Sequence, residues 1–145
     1  MKPIIYLSAT VTEFEYRKKC IHDYSDDFVF IDPIHNTSKI VLLKDDFQGI
    51  VDRSVRASDT QVIEIVEKDK NDILSSDYMV VYINTPTFGT IMEILYAYEY
   101  DIPVYGINPN GKYINDIWFR YHVQNIYESV DECYNAIKLL GYPQL

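Results

Sequence analysis

Glu93 is the one charge in the run Gly89-Thr90-Ile91-Met92-Glu93-Ile94-Leu95-Tyr96-Ala97-Tyr98. A carboxylate amid so much apolar sequence needs a partner or a task. Two tasks fit its spacing. Thr90-x-x-Glu93 has the form of a capping box, in which the glutamate reaches back to the cap residue's backbone N–H. Alternatively, an ionised carboxylate on a cleft floor serves as a nucleophile. The apolar flanks favour the second task, as does a helix that starts at the carboxyl end of a strand, where open α/β sheets bind ligands. The helix dipole there favours the ionised form.

Asp69 is the second candidate. Val62, Val66, Asp69 and Ile73 share one helical face by 3.6-residue periodicity, and Asp69 interrupts that apolar stripe. It either pairs with Lys68 or Lys70 in solvent or points into the cleft that holds Glu93. Two such carboxylates with the Tyr6 hydroxyl suit the chemistry of a glycosidic bond. Taken alone, Tyr6 reads more often as a core or rim tyrosine than as a site residue.

The elements that must position these groups follow from the pattern. Ile4 to Leu7 is a first strand. Thr12, with Glu15 three residues later, opens a helix to about Tyr24. Phe28 to Ile31 is a second strand. Residues 33–57 read as a long loop with some local structure, a length that is usually functional. Ser58 with Gln61 starts a helix reaching about Ser75. Tyr78 to Ile83 is a third strand, and Gly89 or Thr90 starts the next helix. Ile102 to Ile107 is a fourth strand, Ile114 to about His122 a helix, and Val123 to Tyr127 a weak fifth strand. Ser129 with Glu132 caps a last helix with the stripe Val130, Cys133, Tyr134, Ile137 and Leu140. Strands alternating with helices imply parallel strands joined by right-handed crossovers. The expected architecture is a flavodoxin-like three-layer α/β sandwich with a five-stranded, mostly parallel sheet, formed as a single domain over residues 1–145.

Composition narrows the function. A net charge of −9 argues against a nucleic-acid polymer or an anionic membrane as partner. Fourteen tyrosines suit clefts and interfaces that are apolar at one end and wet at the other. Cys20 and Cys133 lack Cys-x-x-Cys spacing and fall among apolar residues, as buried free thiols do. There is no signal-like start and no apolar run near the ~20 residues of a transmembrane helix, so a cytoplasmic location is expected. Neither Gly-x-Gly-x-x-Gly, a Walker loop nor a Gly-x-Ser-x-Gly elbow occurs. His22, His35 and His122 lack metal-ligand spacing, so no metal is expected.

Taken in order, Ile5-Tyr6-Leu7-Ser8, Asp69 to Asp77, Asn84-Thr85-Pro86-Thr87-Phe88-Gly89-Thr90-Ile91-Met92-Glu93 and Ile102-Pro103-Val104-Tyr105 resemble the nucleoside 2-deoxyribosyltransferase superfamily. That superfamily includes the deoxynucleoside 5′-monophosphate N-glycosidases. The resemblance covers most of the chain except residues 33–57. It implies that Glu93 is the nucleophile attacking C1′ of the sugar, that Tyr6 orients it, and that Asp69 handles the base or its proton. It implies a covalent glycosyl-enzyme, net retention, and neither metal nor organic cofactor. Thr10, Thr87, Gly89 and Asn115 are the expected substrate-binding residues, and Thr10 reads also as an ordinary cap neighbour.

Two of these positions point to different branches. Transferases carry Asp where Thr87 stands, and the monophosphate hydrolases carry Ser there, so Thr87 leans toward a hydrolase. Asn115 lies in Gly111-Lys112-Tyr113-Ile114-Asn115, which matches a segment reaching into a neighbouring subunit's site. Transferases use Asn there for the sugar 5′-hydroxyl, so Asn115 leans toward a transferase. The loop Ala9-Thr10-Val11-Thr12 lacks the arginine that some hydrolases aim at phosphate. The expected partners are a nucleoside or nucleotide and a free base, with deoxyribosyl transfer the leading activity. Monophosphate hydrolysis is the alternative, and a non-catalytic nucleotide-binding module the second. Ile114, Ile117, Trp118, Phe119 and Tyr121 crowd one short helix, so a homodimer or larger homo-oligomer with shared sites is expected. Phe47 and Gln48 are candidates to stack on and hydrogen-bond the base.

Overall fold

In the computed structural model, which describes residues 1–37, 49–50 and 53–140, five strands form one parallel sheet. They are β1 (Ile4–Ala9), β2 (Val29–Ile31), β3 (Tyr78–Tyr82), β4 (Val104–Ile107) and β5 (Asn125–Tyr127), in the spatial order β2-β1-β3-β4-β5. Every neighbouring pair is parallel, so no strand departs from the direction of the rest. This is the flavodoxin-like order, whose direction of winding reverses between β1 and β3.

Among the described residues, the helices that bear on the site and the cores are α1 (Phe14–Tyr24), α2 (Pro33–Thr37), α3 (Asp59–Leu74), α4 (Phe88–Glu99), α5 (Ile117–His122) and α6 (Val130–Leu140). Period-2 alternation sorts the strand side chains into two cores. Ile5, Leu7 and Ala9 of β1 with Tyr78 and Val80 of β3 pack against Tyr16 and Cys20 of α1 and Cys133, Tyr134 and Ile137 of α6. Tyr6, Met79, Val81 and Ile83 face the other way, against Ile73 of α3 and Ile94 and Ala97 of α4. Cys20 and Cys133 are buried free thiols. Leu140, placed on the apolar stripe of α6 by spacing, is exposed at the helix end.

Several boundaries differ from the sequence reading, each for a local reason. The first helix starts at Phe14 rather than Thr12, and its cap residue Glu13 makes no side-chain cap bond. Residues 10–13 instead form a turn, with Glu13 N–H donating to the Thr10 carbonyl at 2.9 Å. Arg17 holds that turn by donating to the carbonyls of Thr10 and Glu13. The box at Ser58 and Gln61 is present in both halves. At the start of α6, the Ser129 hydroxyl accepts from the Glu132 N–H. The fourth helix begins at Phe88 with extended Thr87 as its cap, so Thr90 lies inside the helix. Asp116 caps α5 by accepting from the Phe119 N–H, and residues 112–115 are turns rather than helix.

The region 33–57 contains α2, whose Pro33 takes the first helical position that proline favours. Asp32 accepts from the Ile34 N–H at its start. Phe47 and Gln48 lie outside the described residues.

Two further contacts set the carboxyl edge of the sheet. Fully buried Asn108 donates to the Ile83 carbonyl and accepts from the Tyr113 N–H, joining the ends of β3 and β4 to the turn that carries Asn115. Gly106 lies under the Phe119 ring, and an added Cβ would stand 2.7 Å from Phe119 Cζ. Glycine there lets α5 sit directly on β4.

Candidate active site

The loops after β1 and β3 diverge where the winding reverses, and a cleft of about 850 Å³ opens above them. Thr10 and Val11 contribute from the first loop, Thr87 to Glu93 from the second loop and α4, and Ile65, Val66, Asp69 and Ile73 from α3. Glu93 stands in the second turn of α4, where the helix passes over β1.

The Glu93 carboxylate does not fold back onto Thr90. Its Oε2 accepts from the Tyr6 hydroxyl and its Oε1 accepts from Ser8 Oγ at 3.0 Å. The capping reading therefore fails: the Thr90 hydroxyl accepts from Thr87 Oγ1 at 3.1 Å, and Glu93 turns to the sheet. Tyr6 and Ser8 are two residues apart on β1, so alternation gives both side chains the same face. Both are fully buried.

Burial pushes the Glu93 carboxyl up from its ordinary 4.5 to about 7. The hydrogen bonds from Tyr6 and Ser8, and the nearby Arg17 charge, pull the other way. Burial first, then the fields of Glu93 and Asp69, hold the Tyr6 phenol well above its ordinary 10.0. Tyr6 thus stays protonated and remains a donor throughout the neutral range. A carboxylate balanced near neutrality beside a fixed phenol donor, on a cleft floor, can act as a base or as a nucleophile.

The structure brings five of the seven predicted residues to this cleft: Asp69, Thr10, Thr87, Gly89 and, on its floor, Glu93 itself. Asp69 is half-buried on α3, and its charge reaches Tyr6. Its apolar neighbours on the same helical face diverge, with Ile73 buried and Val62 and Val66 exposed. Thr10 donates to the Thr85 carbonyl at 3.2 Å, tying the two cleft loops together. Gly89 is exposed, and a Cβ there would meet nothing within 4 Å, so the glycine leaves that wall of the cleft open. Tyr6 lies beneath the floor as the donor to Glu93. Asn115 is exposed and is not among the residues lining the cleft of its own chain.

Sequence reasoning missed two residues. Ser8 carried a usable signal: a hydroxyl two residues after a candidate tyrosine on a strand shares its face. Arg17 carried none, because a cation in an 11-residue helix reads as solvated surface. It is buried, pairs with Asp32 at 3.2 Å, and donates to the carbonyls of Ala9 and Thr10, each at 2.9 Å.

A second, apolar concavity of about 400 Å³ lies between α4 and α5. It shares Pro86 and Ile91 with the cleft wall and is bordered by Leu95, Trp118, Phe119 and His122. Ile117, Trp118 and Tyr121 stand largely exposed beside it. Among the described residues, no group of three or more His, Cys, Asp or Glu side chains is placed to hold a metal ion. None of the described helices is long and apolar enough to cross a membrane.

No family model matches the chain, and no curated protein matches it. Solved structures do. A 2-deoxyribosyltransferase from the psychrotolerant bacterium Bacillus psychrosaccharolyticus superposes with a TM-score of 0.68 at 18% identity, over 98% of this chain and 99% of that one. A conserved protein from Enterococcus faecalis V583 superposes with a TM-score of 0.69 at 17% identity, over 97% and 99%. At these identities the likeness is one of fold, and it extends over nearly the whole of each chain.

Proposed function

We propose that this chain is a nucleoside 2-deoxyribosyltransferase that works through a covalent glycosyl-Glu93 intermediate. The observation that carries the reading is the seating of Glu93: a partly buried carboxylate on the cleft floor, held by the Tyr6 hydroxyl and opposite the wall that carries Asp69. The full-length likeness of fold to a 2-deoxyribosyltransferase supports it.

In this mechanism a Glu93 oxygen attacks C1′ of a 2′-deoxynucleoside. The bond from C1′ to the base nitrogen breaks, and its electron pair leaves with the base. Asp69 relays a proton to that nitrogen as the base departs. The developing positive charge on the sugar is stabilised by the anionic carboxylate that then bonds to it. A second base attacks C1′ from the vacated face, Asp69 takes its proton, and the C1′–O bond returns its pair to Glu93. Two inversions give net retention. No cofactor enters any step.

Hydrolysis of a deoxynucleoside 5′-monophosphate is the second reading, with water in place of the acceptor base. One observation favours it: Arg53 and Lys70 line the cleft along with the Thr87 cap residue. Two cations beside a helix start would suit a phosphate.

The exposed apolar groups around α5 support a homodimer in which Asn115 enters the partner's cleft. A buried area centred on Trp118, Ile117 and Tyr121 would suit such an interface.

The test is a panel of deoxynucleosides and their monophosphates, each with and without a second free base. Base exchange from nucleosides is expected. Free sugar phosphate from monophosphates alone moves the assignment to the hydrolase. Tight binding with no turnover of any substrate leaves only a binding module.

A further inference from the structure

We propose that Ser8 is a positioning residue of this site: it holds the second oxygen of Glu93, so that each carboxylate oxygen has its own buried donor. The proposal rests on the reading of Glu93 as nucleophile.

The geometry is specific. Tyr6 reaches Oε2 and Ser8 reaches Oε1, both from the same face of β1. Ser8 is completely buried in a central strand of the sheet, between β2 and β3. A hydroxyl at such a place is costly unless bonded, and alanine would fill the same space in an apolar sheet. Ser8 resolves that cost by donating to the carboxylate. One donor would leave Glu93 free to swing about that bond. Two donors on one rigid strand fix the plane of the carboxylate.

The two donors also bear on the chemistry. When one oxygen bonds to C1′, the other becomes the carbonyl oxygen of the glycosyl ester and keeps its donor. When the acceptor attacks, the C1′–O pair returns to a carboxylate whose oxygens both face O–H groups. A hydrogen bond to the charged form favours that form, so Ser8 stabilises the leaving carboxylate as well as the attacking one. The groups acting on Glu93 are the hydroxyls of Tyr6 and Ser8 on β1 and Arg17 on α1. On α3, Asp69 and Asp72 act on Tyr6, and Lys70 lines the cleft with Asp69.

The experiment measures kcat and KM for base exchange between pH 5 and 9 in wild type, Ser8→Ala, Ser8→Cys and Glu93→Gln, with a thermal melt of each. Ser8→Ala is expected to lose roughly 10- to 100-fold in kcat with little change in KM, as loss of a bond to a charged group does. Its acid limb moves to higher pH, because the ionised form has lost a donor. Ser8→Cys, of similar size with a weaker donor, falls between alanine and wild type in both respects. This order separates a carboxylate donor from a packing residue, for which cysteine and alanine need not rank so. Wild-type kcat and an unmoved acid limb in Ser8→Ala, with Glu93→Gln inactive, overturn the role of Ser8 and leave the nucleophile standing. An active Glu93→Gln overturns both. If Ser8→Ala does not fold, the shift of the acid limb in Ser8→Cys decides the matter alone.

Discussion

Tyr6 and Glu93 are 87 positions apart in the chain, yet the phenol of one donates directly to a carboxylate oxygen of the other. The contact links β1 to the helix that follows its neighbouring strand β3, and it is made beneath the cleft rather than in it. Tyr6 is fully buried and its phenol is held well above its ordinary value, so it cannot compete as an acid in the neutral range. It serves as a fixed dipole aimed at the carboxylate.

Tyr6→Phe should therefore leave the fold intact and damage the reaction. The ring packing is retained, while a bond to a charged group is lost, which corresponds to roughly 10- to 100-fold in kcat/KM. Glu93 is already raised to about 7 by burial, and Tyr6 is the larger of the two hydrogen-bonding influences that lower it. Its removal moves the acid limb of the rate profile to higher pH, further than Ser8→Ala does. Rate profiles of the two variants side by side check this; an acid limb that stays in place in Tyr6→Phe contradicts it.

The same burial carries a cost in stability. The folded chain holds the Glu93 proton more tightly than the unfolded chain, with about 7 against an ordinary 4.5. Below pH 4.5 both states are protonated and the group is neutral toward stability. As pH rises from there to about 7 the folded state loses ground, by about 3 kcal/mol at most when the whole shift is counted. Glu93→Gln removes the buried charge and should be the more stable protein at pH 8, by about 1–3 kcal/mol, since the amide matches two donors imperfectly. Urea melts at pH 4 and pH 8 test the sign: the gain must shrink at the lower pH. An equal difference at both would show that the Glu93 charge is not what costs stability.

How much of this was legible in the sequence depended on range. The strands were readable because Ile4 to Leu7 and Tyr78 to Ile83 are apolar runs bounded by polar turns, and the parallel sheet followed from their alternation with helices. Asp69 was readable as an acid on an apolar stripe, a purely local oddity. The start of α4 was not, because Thr90-x-x-Glu93 fits a capping box perfectly in spacing. What decides it is the pull of Tyr6 and Ser8 across the sheet, and no local window contains that. The start of α1 failed for a similar reason: Arg17 reaches back to the carbonyls of Thr10 and Glu13 and holds a turn where propensity alone would have begun a helix.

Arg17 should prove one of the most sensitive positions in the chain outside the cores. Its guanidinium is almost fully buried and meets Asp32, which itself starts α2, while its other nitrogens hold carbonyls at the end of β1. Removing one member of a buried pair leaves the other unpaired, at a cost of about 3–5 kcal/mol. Arg17→Ala should lower the melting temperature by roughly 10 °C or more. Arg17→Lys keeps the charge but not the fork, and should lie between. Thermal melts of the three proteins decide this; a loss below about 1 kcal/mol in Arg17→Ala would mean the pair contributes little net stability.

The exposed apolar groups on α5 and the position of Asn115 together make a prediction about assembly. Asn115 does not reach the cleft of its own chain, yet Asn108 fixes the turn that carries it. If two copies pair through the concavity between α4 and α5, each Asn115 serves the other copy's cleft. Glu93→Gln and Asn115→Ala should then be inactive or weak as pure proteins and recover activity when mixed. In a two-fold dimer exchanged at equal ratio, about a quarter of the sites would carry both native residues. Trp118→Asp should abolish that recovery by separating the copies, and light scattering would show the fall in mass. Mixtures no more active than their components, from proteins that scatter as dimers, would place Asn115 outside the site altogether.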